Sequence, residues 1–146
     1  MGYQLTEPPN GYDQIVSLLG NPDPYRDQRA QAVWAHRTQV AVRPVVTVEY
    51  IGKPLGVLWV HRRLTQAFSE VFKSIAAAGI ASVVLEELYS FRPATEDPSK
   101  FSIHTFAAAI DLTASDQSAL ADIFKAHGWT WGGEAEPRHF QFATGY

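Results

Sequence analysis

At 146 residues the chain suits one domain with one core, and 46% hydrophobic against 18% charged residues marks it as globular rather than disordered. A net charge of -3 and a sequence pI near 5.9 give no electrostatic basis for a nucleic-acid partner. The absence of cysteine excludes disulfide scaffolds, thiolate metal sites and cysteine nucleophiles, so any bound metal must be held by imidazole and carboxylate.

The first residues, Met1 to Pro9, lack the basic start and apolar run of a signal peptide. No stretch reaches the roughly 18 apolar residues that a membrane span requires. A product made in the cytoplasm, without a membrane span, is the expectation. Two turn-like clusters, Pro8-Pro9-Asn10-Gly11 and Asn21-Pro22-Asp23-Pro24, flank a short helix predicted from Ile15, Leu18 and Leu19 between Tyr12 and Leu19. Residues 1–32 read as an arm packed on a domain formed by 33–146.

Gln39 to Tyr50 is dense in Val and reads as a strand with an edge or bend at Pro44. Gly52-Lys53-Pro54 reads as a turn and Leu55 to Val60 as a second apolar run. The cluster His61-Arg62-Arg63 reads as a solvated helix start. Behind it Leu64, Ala67, Phe68, Val71, Phe72, Ile75 and Ala76 keep three- and four-residue spacings up to Gly79, the clearest helix of the chain. Val83 to Leu88 fits a strand or a helix end, and a loop is expected from Ser90 to Ser102. Ala107 to Leu112 fits a buried strand that delivers a carboxylate at its end. Ser115 or Asp116 can cap a helix through Ala119, Leu120, Ile123 and Phe124, closed by Gly128, and His139 to Phe142 reads as a last strand. Strands mixed with two long helices, without a βαβ rhythm, predict a small α+β domain.

Ionisable residues concentrate among apolar ones in three places: Ser102 to Asp111, Glu136 to Phe142, and Ser90-Phe91-Arg92-Pro93. A histidine and an aspartate at the ends of a buried apolar run both need partners. Zinc is one such partner, since a catalytic zinc takes three imidazole or carboxylate ligands and keeps a fourth position open. His104, Asp111 and His139 make such a set. Glu136, three residues before His139, can stand beside the metal as general base, and Arg92 can stabilise an oxyanion. Singly, each has an ordinary reading: a hydrogen-bonded core histidine, a solvated loop acid, an arginine paired with Glu86, Glu87 or Glu96. His36, His61 and His127 stand outside the pattern, and His127 is expected at a helix C-terminus. Trp129 is expected in the core, with Trp131 the better candidate for lining a groove.

Ser102-x-His104 and Ala109-x-Asp111 resemble the S-x-H-x-x-G-x-A-x-D signature of the M15 family of zinc peptidases, the D-Ala-D-Ala carboxypeptidase and L-Ala-D-Glu endopeptidase group. Glu136-x-x-His139-Phe140 resembles that family's closing acid-x-x-H-F element. Trp131-Gly132-Gly133 resembles the W-G-G of its phage-type members, and Phe91-Arg92-Pro93 its arginine-bearing segment. The resemblance is specific over about residues 88–143. It implies zinc ligands at His104, Asp111 and His139, a catalytic base at Glu136, a substrate-polarising cation at Arg92, and substrate contacts at Ser102 and Trp131. It also implies a central antiparallel sheet flanked by helices. Two features depart from the pattern: Ala107 replaces the usual glycine, and Thr113-Ala114-Ser115 replaces a longer asparagine- and proline-rich loop.

The function so implied is cleavage of a bond in bacterial peptidoglycan stem peptides by a monomer. An L-Ala-D-Glu endopeptidase is the first expectation and a D-Ala-D-Ala carboxypeptidase the second. A non-catalytic wall-binding or tail module is the competing class. Without a signal peptide, such a protein reaches the wall through a lysis, phage-tail or secretion system.

Overall fold

Alternation along one strand sorts the molecule into two faces. In Ala109–Thr113, Ile110 and Leu112 are wholly buried, while Asp111 between them is only partly covered. Side chains of a strand alternate faces, so the residues flanking Asp111 serve the core and Asp111 serves the opposite surface.

The structure is a computed structural model and describes residues 4–31, 37–41, 48–50, 53–55, 57–80 and 83–146. In chain order these form α1 (Tyr12–Leu19), α2 (Gln28–Gln31), β1 (Arg37–Ala41), β2 (Val48–Tyr50), β3 (Lys53–Leu55), β4 (Val57–His61), α3 (Thr65–Ala77), β5 (Val83–Glu87), β6 (Ala109–Thr113), α4 (Gln117–Ala126), β7 (Thr130–Gly132) and β8 (Glu136–Gln141). The main sheet has the order β3-β2-β5-β6-β8-β7, antiparallel except for the β2–β5 pair; β1 and β4 form a separate antiparallel ribbon. The domain is α+β, as the mixed pattern predicts. No helix among the described residues is long and apolar enough to cross a membrane.

The core lies between the sheet and α3 with α4. Phe68, Val71, Phe72 and Ile75 point inward from α3, and Phe124 of α4 stacks on Phe140 of β8 with ring centroids 4.2 Å apart. Trp129 meets Phe68 and Phe124 edge-on, so it is a core residue, as expected. Truncating Phe68 to Ala would cost about 3–5 kcal/mol through lost burial and a cavity. Gly79 ends α3 with φ 73°, and Asp116, rather than Ser115, caps α4 by accepting from Ala119 N–H at 3.0 Å.

Four local readings change. The Val-rich stretch is two strands in different sheets, β1 and β2; Pro44 and His36 lie outside the described residues. Lys53 and Pro54 belong to β3 rather than to a turn, because they pair with β2, while Gly52 lies outside the described residues. Val83 to Glu87 resolves as a strand. His61 is buried rather than solvated: its Nε2 donates to the Leu19 carbonyl at 3.0 Å, and Arg63 donates to the Leu18 carbonyl at 2.8 Å. The pair satisfies carbonyls that the end of α1 leaves open. α1 is thereby fastened to the start of α3.

Candidate metal centre

The site is built on the sheet face opposite the helices. Glu87, Asp111 and His139 stand in register on the adjacent strands β5, β6 and β8, a row of three side chains across the sheet. His104 reaches them from a 3-10 turn, Ile103–Phe106, that precedes β6. Ser102 caps this turn, its hydroxyl accepting from His104 N–H at 3.2 Å. Ala107 ends the turn at φ 53°, ψ 33°, and among the described residues it is the one non-glycine with positive φ. The signature position held by glycine in the resembled family is therefore a left-handed one here, occupied by Ala.

His104, Asp111 and His139 bring three possible ligand atoms within 4.8 Å of one another. Asp111 Oδ1 lies 3.4 Å from His104 Nε2 and 3.0 Å from His139 Nδ1. Atoms bound at about 2.0–2.1 Å to a tetrahedral ion stand roughly 3.3 Å apart, so both spacings suit a shared cation. The far nitrogens set the tautomers. His104 Nδ1 donates to the Leu88 carbonyl at 2.8 Å, and His139 Nε2 donates to Gln141 Oε1 at 2.8 Å. With the far nitrogen protonated and the ring neutral, the near nitrogen turns a lone pair toward the Asp111 carboxylate; a proton on His139 Nδ1 instead makes the 3.0 Å hydrogen bond to Asp111. Three acceptors facing one another repel unless a proton or a metal ion lies among them. The donor set fits a divalent ion of the zinc type.

Electrostatics follow the same geometry. Burial alone would raise the Asp111 carboxyl, but hydrogen bonds and charge from His104 and His139 outweigh it and hold Asp111 well below the usual carboxylate range. Burial would lower His139, yet its hydrogen bonds to Asp111 and Gln141, with the charges of Asp111 and Glu136, raise it. The carboxylate that attracts a proton onto His139 would attract a cation to the same place.

A cleft of about 690 Å³ opens over this face, and Arg92, Ser102, His104, Asp111, Glu136 and His139 are in its wall. Five of the expected site residues and the expected base thus share one cavity. Glu136 begins β8 and is exposed. A Cβ on Gly132 would collide with the Glu136 backbone, so the glycine of the W-G-G element is needed for β7 to pass β8 at that point. Trp131 does not line the cleft: its indole N–H donates to the Pro137 carbonyl at 2.8 Å, and Lys125 lies over the ring. His127 sits at the C-cap of α4, where it was expected, and bonds Ser74 Oγ at 2.7 Å.

Two contributors, Thr105 and Gln141, were missed, and a third, Glu87, was weighed only as a partner of Arg92. Glu87 brings one carboxylate oxygen within 3.4 Å of the Arg92 guanidinium and 3.5 Å of His104 Nε2, so Arg92 is both at the cleft and ion-paired. Thr105, wholly buried, sets its hydroxyl between the Ser90 and Arg92 carbonyls at 3.1 and 2.9 Å and accepts from Arg92 N–H at 3.1 Å. It fastens the arginine-bearing loop to the turn that carries His104. Gln141 orients His139. The alternation of β8 could have revealed Gln141, two residues on and therefore on the same face as His139; Glu87 required the strand register.

No protein-family model, curated protein or solved structure matches this chain. What fold and site define together is an α+β domain with a largely buried His104–Asp111–His139 group able to hold a metal ion.

Proposed function

We propose that this protein is a zinc-dependent peptidase of bacterial peptidoglycan that cuts a stem-peptide bond, with the bond between L-Ala and D-Glu as its first candidate. The observation that carries the metal reading is the pair of tautomer-fixed imidazoles aimed at Asp111. The peptidase reading rests on Glu136 and Arg92 in the same cleft, and the stem-peptide substrate on the resemblance of Ser102–Asp111 and Glu136–Phe140 to M15 zinc peptidases.

Bound among His104, Asp111 and His139, zinc would supply a Lewis acid for the scissile carbonyl. Glu136 takes a proton from the attacking water and returns it to the leaving amine. Arg92, held in place by Glu87, donates to the oxygen on which negative charge develops. A second cleft, about 610 Å³ and lined by Glu86, Glu87 and Arg138, also borders Asp111. The Trp131-Gly132-Gly133 and His139-Phe140-Gln141 elements, which resemble the phage-type branch, favour an endopeptidase over a carboxypeptidase.

Purified sacculi digested with the zinc-loaded protein, followed by mass spectrometry of the new termini, test the reading. New L-Ala carboxyl and D-Glu amino termini are the expected result. Release of free D-Ala alone would assign the carboxypeptidase instead. Intact sacculi together with no stoichiometric zinc by elemental analysis would overturn the proposal.

A further inference from the structure

Behind His139, on the side away from Asp111, residues 9–12 meet the segment that follows β8. Gln141 is 6% exposed, and its amide has one workable orientation. Its Nε2 donates to the Tyr146 carbonyl at 2.9 Å and to the Ala143 carbonyl at 3.2 Å, which leaves Oε1 to accept from His139 Nε2 at 2.8 Å. A reversed amide would press its oxygen against two carbonyls and offer hydrogens to His139 Nε2. The ring proton would then move to Nδ1, the nitrogen that faces Asp111.

The segment after β8 that supplies those carbonyls is itself held by residues 9–12. Thr144 N–H donates to the Pro9 carbonyl and Gly11 N–H to the Thr144 carbonyl, both at 2.8 Å, and the Thr144 hydroxyl donates to Asn10 Oδ1 at 3.0 Å. The Tyr146 ring packs on Tyr12 with centroids 5.1 Å apart, and its hydroxyl donates to the Phe101 carbonyl. Phe101 N–H in turn donates to the Tyr12 hydroxyl at 3.0 Å.

We propose that Gln141 is a positioning residue that fixes the His139 tautomer competent for metal binding, and that residues 9–12 serve the metal centre by clamping the segment that orients Gln141. This gives the N-terminal arm a role in the site, although none of its described residues reaches the cleft wall. The inference rests on the metal reading above, yet its first readout needs no metal.

Two-bond proton–nitrogen correlation spectra of the metal-free, nitrogen-15-labelled protein, taken where the rings are neutral, report each tautomer. Wild type should show His139 with Nε2–H populated, a preference set by Gln141 against the pull of the Asp111 carboxylate on Nδ1. Gln141→Leu should lose that preference, and zinc affinity by chelator competition should fall about 10–100-fold. Gln141→Glu, which keeps an acceptor but also loses donation to Tyr146 and Ala143, should retain the Nε2–H form; a purely structural role would affect both variants alike. Thr144→Val, remote from His139, should shift the tautomer balance in the same direction but less. A Gln141→Leu protein with the wild-type tautomer and affinity overturns the positioning role, and an unmoved Thr144→Val overturns the clamp. If wild type keeps the Nε2–H preference and Gln141→Leu loses it, but wild type has no zinc affinity, the metal reading fails while the role of Gln141 stands.

Discussion

His104 Nε2 and Asp111 Oδ1 lie 3.4 Å apart, although their residues belong to different elements, a 3-10 turn and a strand. The chain reverses between them at Ala107, which adopts the left-handed conformation that closes the turn. The His104–Asp111 pair therefore depends on one backbone geometry that Ala tolerates poorly.

Ala107→Gly should be close to neutral for stability, unlike other buried Ala→Gly changes. Relief of a left-handed Ala is worth about 1–2 kcal/mol. Against it stand a buried methyl worth about 0.8 kcal/mol and added chain entropy of roughly 0.5–1 kcal/mol. Ala108→Gly, wholly buried but without positive φ, lacks the relief and should lose about 1–2 kcal/mol. Urea unfolding of the two variants gives the comparison, and equal losses would count against strain at Ala107.

Glu136→Gln should keep one zinc per chain and lose turnover by about 10²–10⁴-fold, since the amide cannot accept the proton. Elemental analysis and sacculus release assays separate the two effects. A variant that loses metal as well would make Glu136 part of the ligand set.

Removing metal should lower the melting temperature. An ion held at 100 times its dissociation constant adds about 2.7 kcal/mol, and about 1 kcal/mol moves a chain of this size by roughly 2–4 °C. Calorimetry with and without chelator should therefore differ by roughly 5–10 °C in wild type. Asp111→Ala should show no difference.

The metal-free and metal-bound proteins should respond oppositely to pH. His139 is raised in the fold above its ordinary value of 6.5, so its contribution to metal-free stability is complete below that value and is lost as pH rises through the folded value. Zinc must displace the same proton, so its apparent affinity should climb over that same rise. Asp111, depressed in the fold, stabilises above its ordinary value of 3.8 and fails only in stronger acid. Chelator competition and melting curves across this range provide the check; zinc affinity that does not vary with pH would contradict the assigned His139 ligand.

Much of the site was legible because its residues are few, polar and set among apolar neighbours. His104, Asp111, His139, Glu136 and Arg92 could all be named in advance, and they share one cleft. Helices α1, α3 and α4 were legible too, since their apolar spacing and glycine stops are local properties. Trp131 was misjudged as a groove residue because exposure beside glycines does not say which way a ring turns; its N–H found the Pro137 carbonyl instead.

What the amino-acid order determined by itself was the available donor chemistry and the local punctuation: imidazole and carboxylate without thiol, the helix stops at Gly79 and Gly128, and the departure from glycine at Ala107. Tertiary structure decided everything that depends on register between strands. Pairing of β5, β6 and β8 puts Glu87 beside Asp111, and the packing of residues 9–12 against 143–146 fixes the amide of Gln141. Such partners lie tens of residues apart and are matched by backbone hydrogen bonds common to every residue type, so side-chain identity carries little trace of them.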